Sequence, residues 1–171
     1  MIVWSEPTRS LRLRWGSYLP RYLVGLAAIV VGVAATNLTS TYSLWFLLIG
    51  PVVQAVGWLC LPAALWRRLL VLVPCMIAGL VPVAGPDFVG AFAALLAAWL
   101  LVRHRPAVSY LAVVAPIAAS IVAKLTLHEY TATAVALFFC AGVSVAAAWF
   151  ARQLARWRDD RRAVTRTTSQ P

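Results

Sequence analysis

The chain has 171 residues, 63% hydrophobic and 12% charged, with a net charge of +10 and a mean hydropathy of +0.84. Soluble domains are about half apolar and a quarter charged, and one core of this length cannot hide such an excess, so a soluble fold is excluded and a bilayer is the expected solvent. The positive charge does not point to nucleic acid: fourteen of the fifteen basic residues lie in the terminal segments or in two short loops, a pattern that orients membrane helices and lacks the folded basic patch of a nucleic-acid reader.

The predicted fold is all-α: a polytopic membrane protein of six transmembrane helices. A basic segment, residues 1–17, carries Arg9, Arg12 and Arg14, and the first helix is expected over 18–36. The second is expected over 43–66, with Arg67 and Arg68 in the loop behind it. The third and fourth, 69–84 and 88–102, are short of the roughly 20 residues that span a bilayer. A Gly85-Pro86-Asp87 turn joins them, so they read as a hairpin, with Pro82 and Pro86 breaking any single longer helix. The fifth is expected over 107–128 and the sixth over 131–151, continued by a basic tail, 152–171, whose residues from Thr165 onward are polar and expected to be disordered.

Charge then orients the bundle. Arginines occupy the N-terminal segment, the loop at 67–68, the loop at 103–105 and the tail, whereas the intervening loops hold only Asp87, His128 and Glu129. Basic and non-basic sides alternate without a violation, so both termini are expected in the cytoplasm of a multi-pass protein of the cell membrane. Trp4, Trp15, Tyr18, Tyr22, Trp45, Trp66, Trp99, Trp149 and Trp157 mark the interfaces. Val33-Ala34-Ala35 resembles a signal-peptide cleavage site. The segment before it is long for a signal peptide, and the run is read as a retained helix.

Polar groups inside a membrane are costly and are site candidates by default. Gln54 falls near the centre of the second helix. Lys124 and His128, four apart, share a face of the fifth. With Asp87 and Glu129 they define a candidate outer polar site, whose plainer reading is a loop-tying ion pair. Adjacent His128 and Glu129 with Asp87 lack the further ligands of a metal motif, so neither metal nor cofactor is expected. Arg9, Arg12, Arg14, Arg152, Arg156 and Arg158 are placed to touch anionic lipid.

Cys60, Cys75 and Cys140 sit in apolar runs and read as small hydrophobes. Pro51, Pro74 and Pro116 fall inside helices and free backbone carbonyls. Small residues recur four apart: Ala28, Gly32 and Thr36; Gly90, Ala94 and Ala98; Ala115, Ala119 and Ala123; Gly142 and Ala146. Each stripe is a candidate helix contact.

No nucleophile, acid and base converge as catalysis requires, and the Gly-x-Ser-Gly and histidine of a rhomboid-type protease are absent from helices four and six. The expected function is therefore non-enzymatic: a subunit or partner in a membrane assembly, or a homo-oligomer. The alternative is a small solute or lipid transporter, or its substrate-binding subunit. For that alternative, the six-helix size resembles the substrate-binding components of energy-coupling vitamin transporters, in architecture alone.

Overall fold

A computed structural model describes residues 17–40, 42–127, 129 and 132–168. Arg9, Arg12, Arg14 and His128 lie outside the described residues. Every regular element described is helical: α1 (Tyr18–Asn37), α2 (Phe46–Cys60), α3 (Leu65–Leu80), α4 (Ala91–Val102), α5 (Val114–Thr126) and α6 (Thr133–Thr168), with 3-10 segments at Val81–Ala84, Pro86–Phe88 and Ala107–Val113.

Among the described residues, four stretches are long and apolar enough to cross a membrane: Tyr18–Asn37, Leu65–Ala84, Ala107–Thr126 and Thr133–Arg158. Phe46–Cys60 and Pro86–Val102 are apolar but shorter, about 22 to 26 Å at 1.5 Å per residue. Leucine, valine, isoleucine and phenylalanine side chains stand exposed on the helices, Leu48, Val52, Val73, Ile121 and Phe138 among them. Water would not tolerate so continuous an apolar surface. The protein is a helical membrane protein.

Two boundaries differ from those the charges suggest. The second helix ends at Cys60 and the third begins at Leu65, so Arg67 and Arg68 stand in the first turn of α3 and not in a loop. Pro62 is the cause: the residue before a proline is pushed out of the helical region, and Leu61 has ψ 139°. The sixth helix runs on to Thr168, past Thr165 where disorder is expected. Arginines with few helix breakers carry it there, and Arg161 stacks on Trp157 one turn back, 3.8 Å from the ring centroid.

The tightest packing joins α1 to α2. Gly25, Ile29, Gly32 and Thr36 are the buried face of α1, and Gly50, Gln54 and Gly57 lie on that of α2. Glycines seven apart on each helix keep one seam in register, the 3.5-residue repeat of a coiled coil. A Cβ at Gly32 would stand 2.5 Å from the Gln54 nitrogen and 2.6 Å from the Gly50 oxygen. One at Gly57 would stand 2.7 Å from the Ile29 nitrogen. The backbones touch, which is how helices adhere where lipid offers no hydrophobic drive.

Trp58, Leu61, Val71, Cys75 and Val102 form the core between this pair and α3–α4, and Val89, Ala119, Ala123, Ala136 and Cys140 form a second core under α5 and α6. Of the expected stripes, Gly32–Thr36 and Ala119–Ala123 are buried. Ala94, Ala115, Gly142 and Ala146 are exposed, and α6 turns Ala136, Cys140, Ala147, Ala151 and Ala155 inward instead.

The prolines divide likewise. Pro51 and Pro74 sit within α2 and α3. Pro116 occupies the first turn of α5, behind the 3-10 segment Ala107–Val113, where a missing N–H costs little.

Candidate functional site

The arginines gather at one end of the bundle and first serve its backbone. Helices running toward that end present unpaired carbonyls and a partial negative charge there. Arg21, 6% exposed, donates from Nε to the Cys60 carbonyl at 3.2 Å. Arg68 donates to the Leu59 carbonyl, so both serve the C-terminus of α2. Arg67 donates to the Leu101 carbonyl of α4 at 2.8 Å.

Helix α4 itself closes in a Schellman motif. The Arg105 nitrogen donates to the Leu100 carbonyl at 3.0 Å and the His104 nitrogen to Leu101 at 3.2 Å. His104 takes the left-handed position with φ 54°. Glycine is the usual occupant, and histidine is among the side chains that tolerate it. This turn fixes where Arg103 and Arg105 point.

Arg103 is 8% exposed. Its Nη1 donates to the Tyr18 hydroxyl at 2.9 Å, and its guanidinium carbon lies 4.7 Å from the Tyr22 ring centroid and 5.5 Å from that of Trp99. Tyr18 and Tyr22 stack at 6.2 Å, and Tyr22 meets Trp99 at 5.8 Å. Burial, then the Arg105 and Arg152 charges, brings the Arg103 pKa down to about 10. Burial likewise lowers that of Arg105, with Arg152 and Arg156 adding to the shift and Tyr18 and Tyr22 opposing it.

At the other end, α1 and α6 stand apart with α4 behind them, leaving a groove of about 570 Å³. Asn37, Leu38, Phe92, Thr133 and Ala134 line it toward the arginine-poor end, and Ile29, Leu95, Ser144 and Val145 line it toward the bundle's middle. Val30, Leu38, Phe138 and Val145 are exposed, so it opens sideways, where lipid would be. Asn37 donates from Nδ2 to the carbonyls of Val33 (2.8 Å) and Gly79 (3.1 Å). Its Oδ1 is buried and accepts no hydrogen bond among the described residues. Ser144 donates to the Cys140 carbonyl at 2.8 Å, so the hydroxyl is already engaged.

Among the described residues, the sequence-predicted Gln54, Asp87, Lys124 and Glu129 do not line this groove. Gln54 is fully buried. Its Nε2 donates to the Cys75 carbonyl of α3 at 2.7 Å, and its Oε1 accepts no hydrogen bond among the described residues. It ties α2 to α3, away from Lys124. Asp87 is exposed in the turn Pro86–Phe88, which packs against α5. Lys124 is exposed in the last turn of α5, one turn beyond Ser120, whose hydroxyl lies over Gly90. Glu129 is also exposed. Asp87, Lys124 and Glu129 are thus each exposed at the arginine-poor end of the bundle.

Of the residues expected to meet anionic lipid, Arg152 and Arg156 lie within electrostatic reach of Arg105, and Arg158 stands half-buried further along α6. Sequence reasoning took Arg103 and Arg105 only as topological charges and Tyr18 and Tyr22 only as belt aromatics. Their convergence has no local signal beyond two arginines flanking His104. Compared with protein families, with curated proteins and with solved structures, the chain matches none.

Proposed function

We propose that this chain is a non-catalytic membrane protein that holds a lipid chain or a similarly apolar ligand, as a small transporter or the substrate-binding subunit of one. The observation that carries this reading is the lateral groove between α1, α4 and α6. Its volume of about 570 Å³ falls within the range of small-molecule sites, about 300 to 1,000 Å³, and its apolar lining with a few placed polar groups is of that kind. Asn37 and Thr133 are among the few polar side chains of that lining, at its arginine-poor end. In this reading the six apolar segments cross the cell membrane with both ends cytoplasmic, and the groove faces the outer leaflet.

Reconstitution with a phosphatidylcholine bearing a diazirine on one acyl chain tests it. Photo-adducts should concentrate on the groove walls of α4 and α6, and Ala141→Trp, which fills the groove, should lower them about fivefold, the effect of roughly 1 kcal/mol of lost contact. Adducts spread evenly over the exposed faces of α2 and α3, and unchanged by Ala141→Trp, would overturn the reading.

A second reading, a subunit of a membrane assembly or homo-oligomer, has its own observation. A Cβ at Gly142 would meet no neighbouring element within 4 Å among the described residues, and Ala146, one turn on, is exposed. These leave a small-residue seam to which a partner helix can come close. Mild solubilisation should then recover a stoichiometric partner with the native chain and lose it with Gly142→Leu. Recovery of the same partner with both chains would remove this seam from consideration.

A further inference from the structure

The apolar band is not equally tall around the molecule. Helices α1 and α2 lie antiparallel, since Gly25 meets Gly57 and Gly32 meets Gly50. At the arginine-rich end α2 stops at Cys60, and two guanidiniums mark the stop: Arg21 donates to the Cys60 carbonyl and Arg68 to that of Leu59. An unrestrained arginine stretches its stem toward water, but these two heads are held at the last turn of α2. At the arginine-poor end Tyr42 and Trp45 precede the helix, both exposed, and such aromatics sit at the head-group level. Between these ends α2 shows Leu48, Val52 and Val56 outward over 15 residues, about 22 Å at 1.5 Å per residue.

The neighbouring helices are little taller. From Arg21 to Asn37 α1 rises about 24 Å. From Arg68 through the 3-10 segment to Ala84 the third span rises about 26 Å. By contrast α6 runs from Thr133 to Arg152 before its first arginine, about 28 Å, close to the hydrocarbon thickness of about 30 Å. A span that is too short is met by snorkelling, by oligomerisation or by thinning of the bilayer. Arg68 is kept from snorkelling by the Leu59 carbonyl. The glycines of α2 and α3 are all buried within the bundle, so the outward face, with Val52, Val56, Val73 and Ile77, lacks the small residues by which helices associate.

We infer that the α2–α3 face is a surface for a thinned bilayer, where lipid loses about 4 to 8 Å of hydrocarbon height, while lipid beside α6 keeps nearly its full height. The inference rests on the reading that α2 crosses the membrane. Reconstitution of the full chain in dimyristoleoyl, dioleoyl and dierucoyl phosphatidylcholine, whose bilayers thicken in that order, tests it. The native chain should melt highest in the first and lowest in the last, by at least about 4 °C. Arg68→Leu, which removes the inner polar boundary of this face, should move the optimum to dioleoyl lipid. Arg158→Leu, further along α6 than Arg152, should leave it in place. A native optimum in dioleoyl or dierucoyl lipid would overturn the proposal without any variant having to fold. So would a shift that both variants share, or one that neither shows. Tyr42→Cys and Trp66→Cys, labelled with a membrane-impermeant maleimide, keep the crossing apart from the thinning. Labelling from opposite sides supports the crossing, and an optimum in thicker lipid then overturns the thinning alone. Labelling of both from one side removes the crossing, and the proposal with it.

Discussion

Gly32→Leu is expected to separate α1 from α2 and to lower the melting temperature of the detergent-solubilised protein by about 10 °C or more, the consequence of losing at least ~3 kcal/mol in a chain of this size. The first side-chain carbon would already overlap backbone atoms, at 2.5 Å from the Gln54 nitrogen, 2.6 Å from the Gly50 oxygen and 2.8 Å from the Gln54 Cα. Backbone cannot swing aside as a side-chain tip can. Overpacking a close-packed site costs about 1 to 3 kcal/mol and sometimes more. Here the displacement also pulls Gln54 off the Cys75 carbonyl. Gly142→Leu is the matched control within the chain, because a Cβ there would meet no neighbouring element within 4 Å among the described residues and leucine is the better helix former by up to ~1 kcal/mol. Tryptophan fluorescence against temperature reads both. A Gly32→Leu melting point within about 2 °C of the native chain, a shift worth under ~1 kcal/mol, would mean that the glycine seam does not hold the pair.

Gly79→Ala is expected to destabilise the native protein by about 1 to 2 kcal/mol, yet to be neutral or stabilising once Gln54 is alanine. The two positions meet inside the bundle: a Cβ on Gly79 would overlap Gln54 Oε1 and lie 3.0 Å from its Nε2. The amide has nowhere to go, because it is fully buried and its Nε2 is held by the Cys75 carbonyl. Turning it away loses a hydrogen bond worth roughly 0.6 kcal/mol in a membrane interior and strains the packing. With Gln54→Ala the clash and the unsatisfied Oε1 both vanish, and the greater helix propensity of alanine over glycine, ~1 kcal/mol, is left to act. The double-mutant cycle should therefore show a coupling of about 1 to 3 kcal/mol. Additive effects would show that Gln54 and Gly79 do not share this space.

How much of this was legible in the residues can be followed position by position. The gathering of Arg21, Arg67, Arg68, Arg103 and Arg105 at one end follows from their places at alternate helix ends. The structure adds that three of them serve carbonyls of α2 and α4. The break before α3 was legible in Pro62, although Arg67 and Arg68 drew the boundary too far along the chain. The α1–α2 seam carried a signal in Gly25–Gly32 and Gly50–Gly57, both spaced seven, which stripes of spacing four obscured.

Gln54 stood out as a buried polar group, but that it reaches the Cys75 carbonyl depends on which helix packs beside α2. Asp87, Lys124 and Glu129 fall at one end of the bundle, as their places along the chain require. By itself, then, the sequence determined the solvent, the helical class and the sidedness of charge, because apolar length and the positions of arginine are local quantities along one chain. The groove and the packing of Arg103 on Tyr18, Tyr22 and Trp99 were decided only by tertiary structure. The groove depends on α1 and α6 standing apart across α4. That arrangement is set by which helix faces are flat enough to touch, such as the glycine face of α1 against α2 and the alanine face of α6 against α5. No pattern within a single helix carries the order of its neighbours.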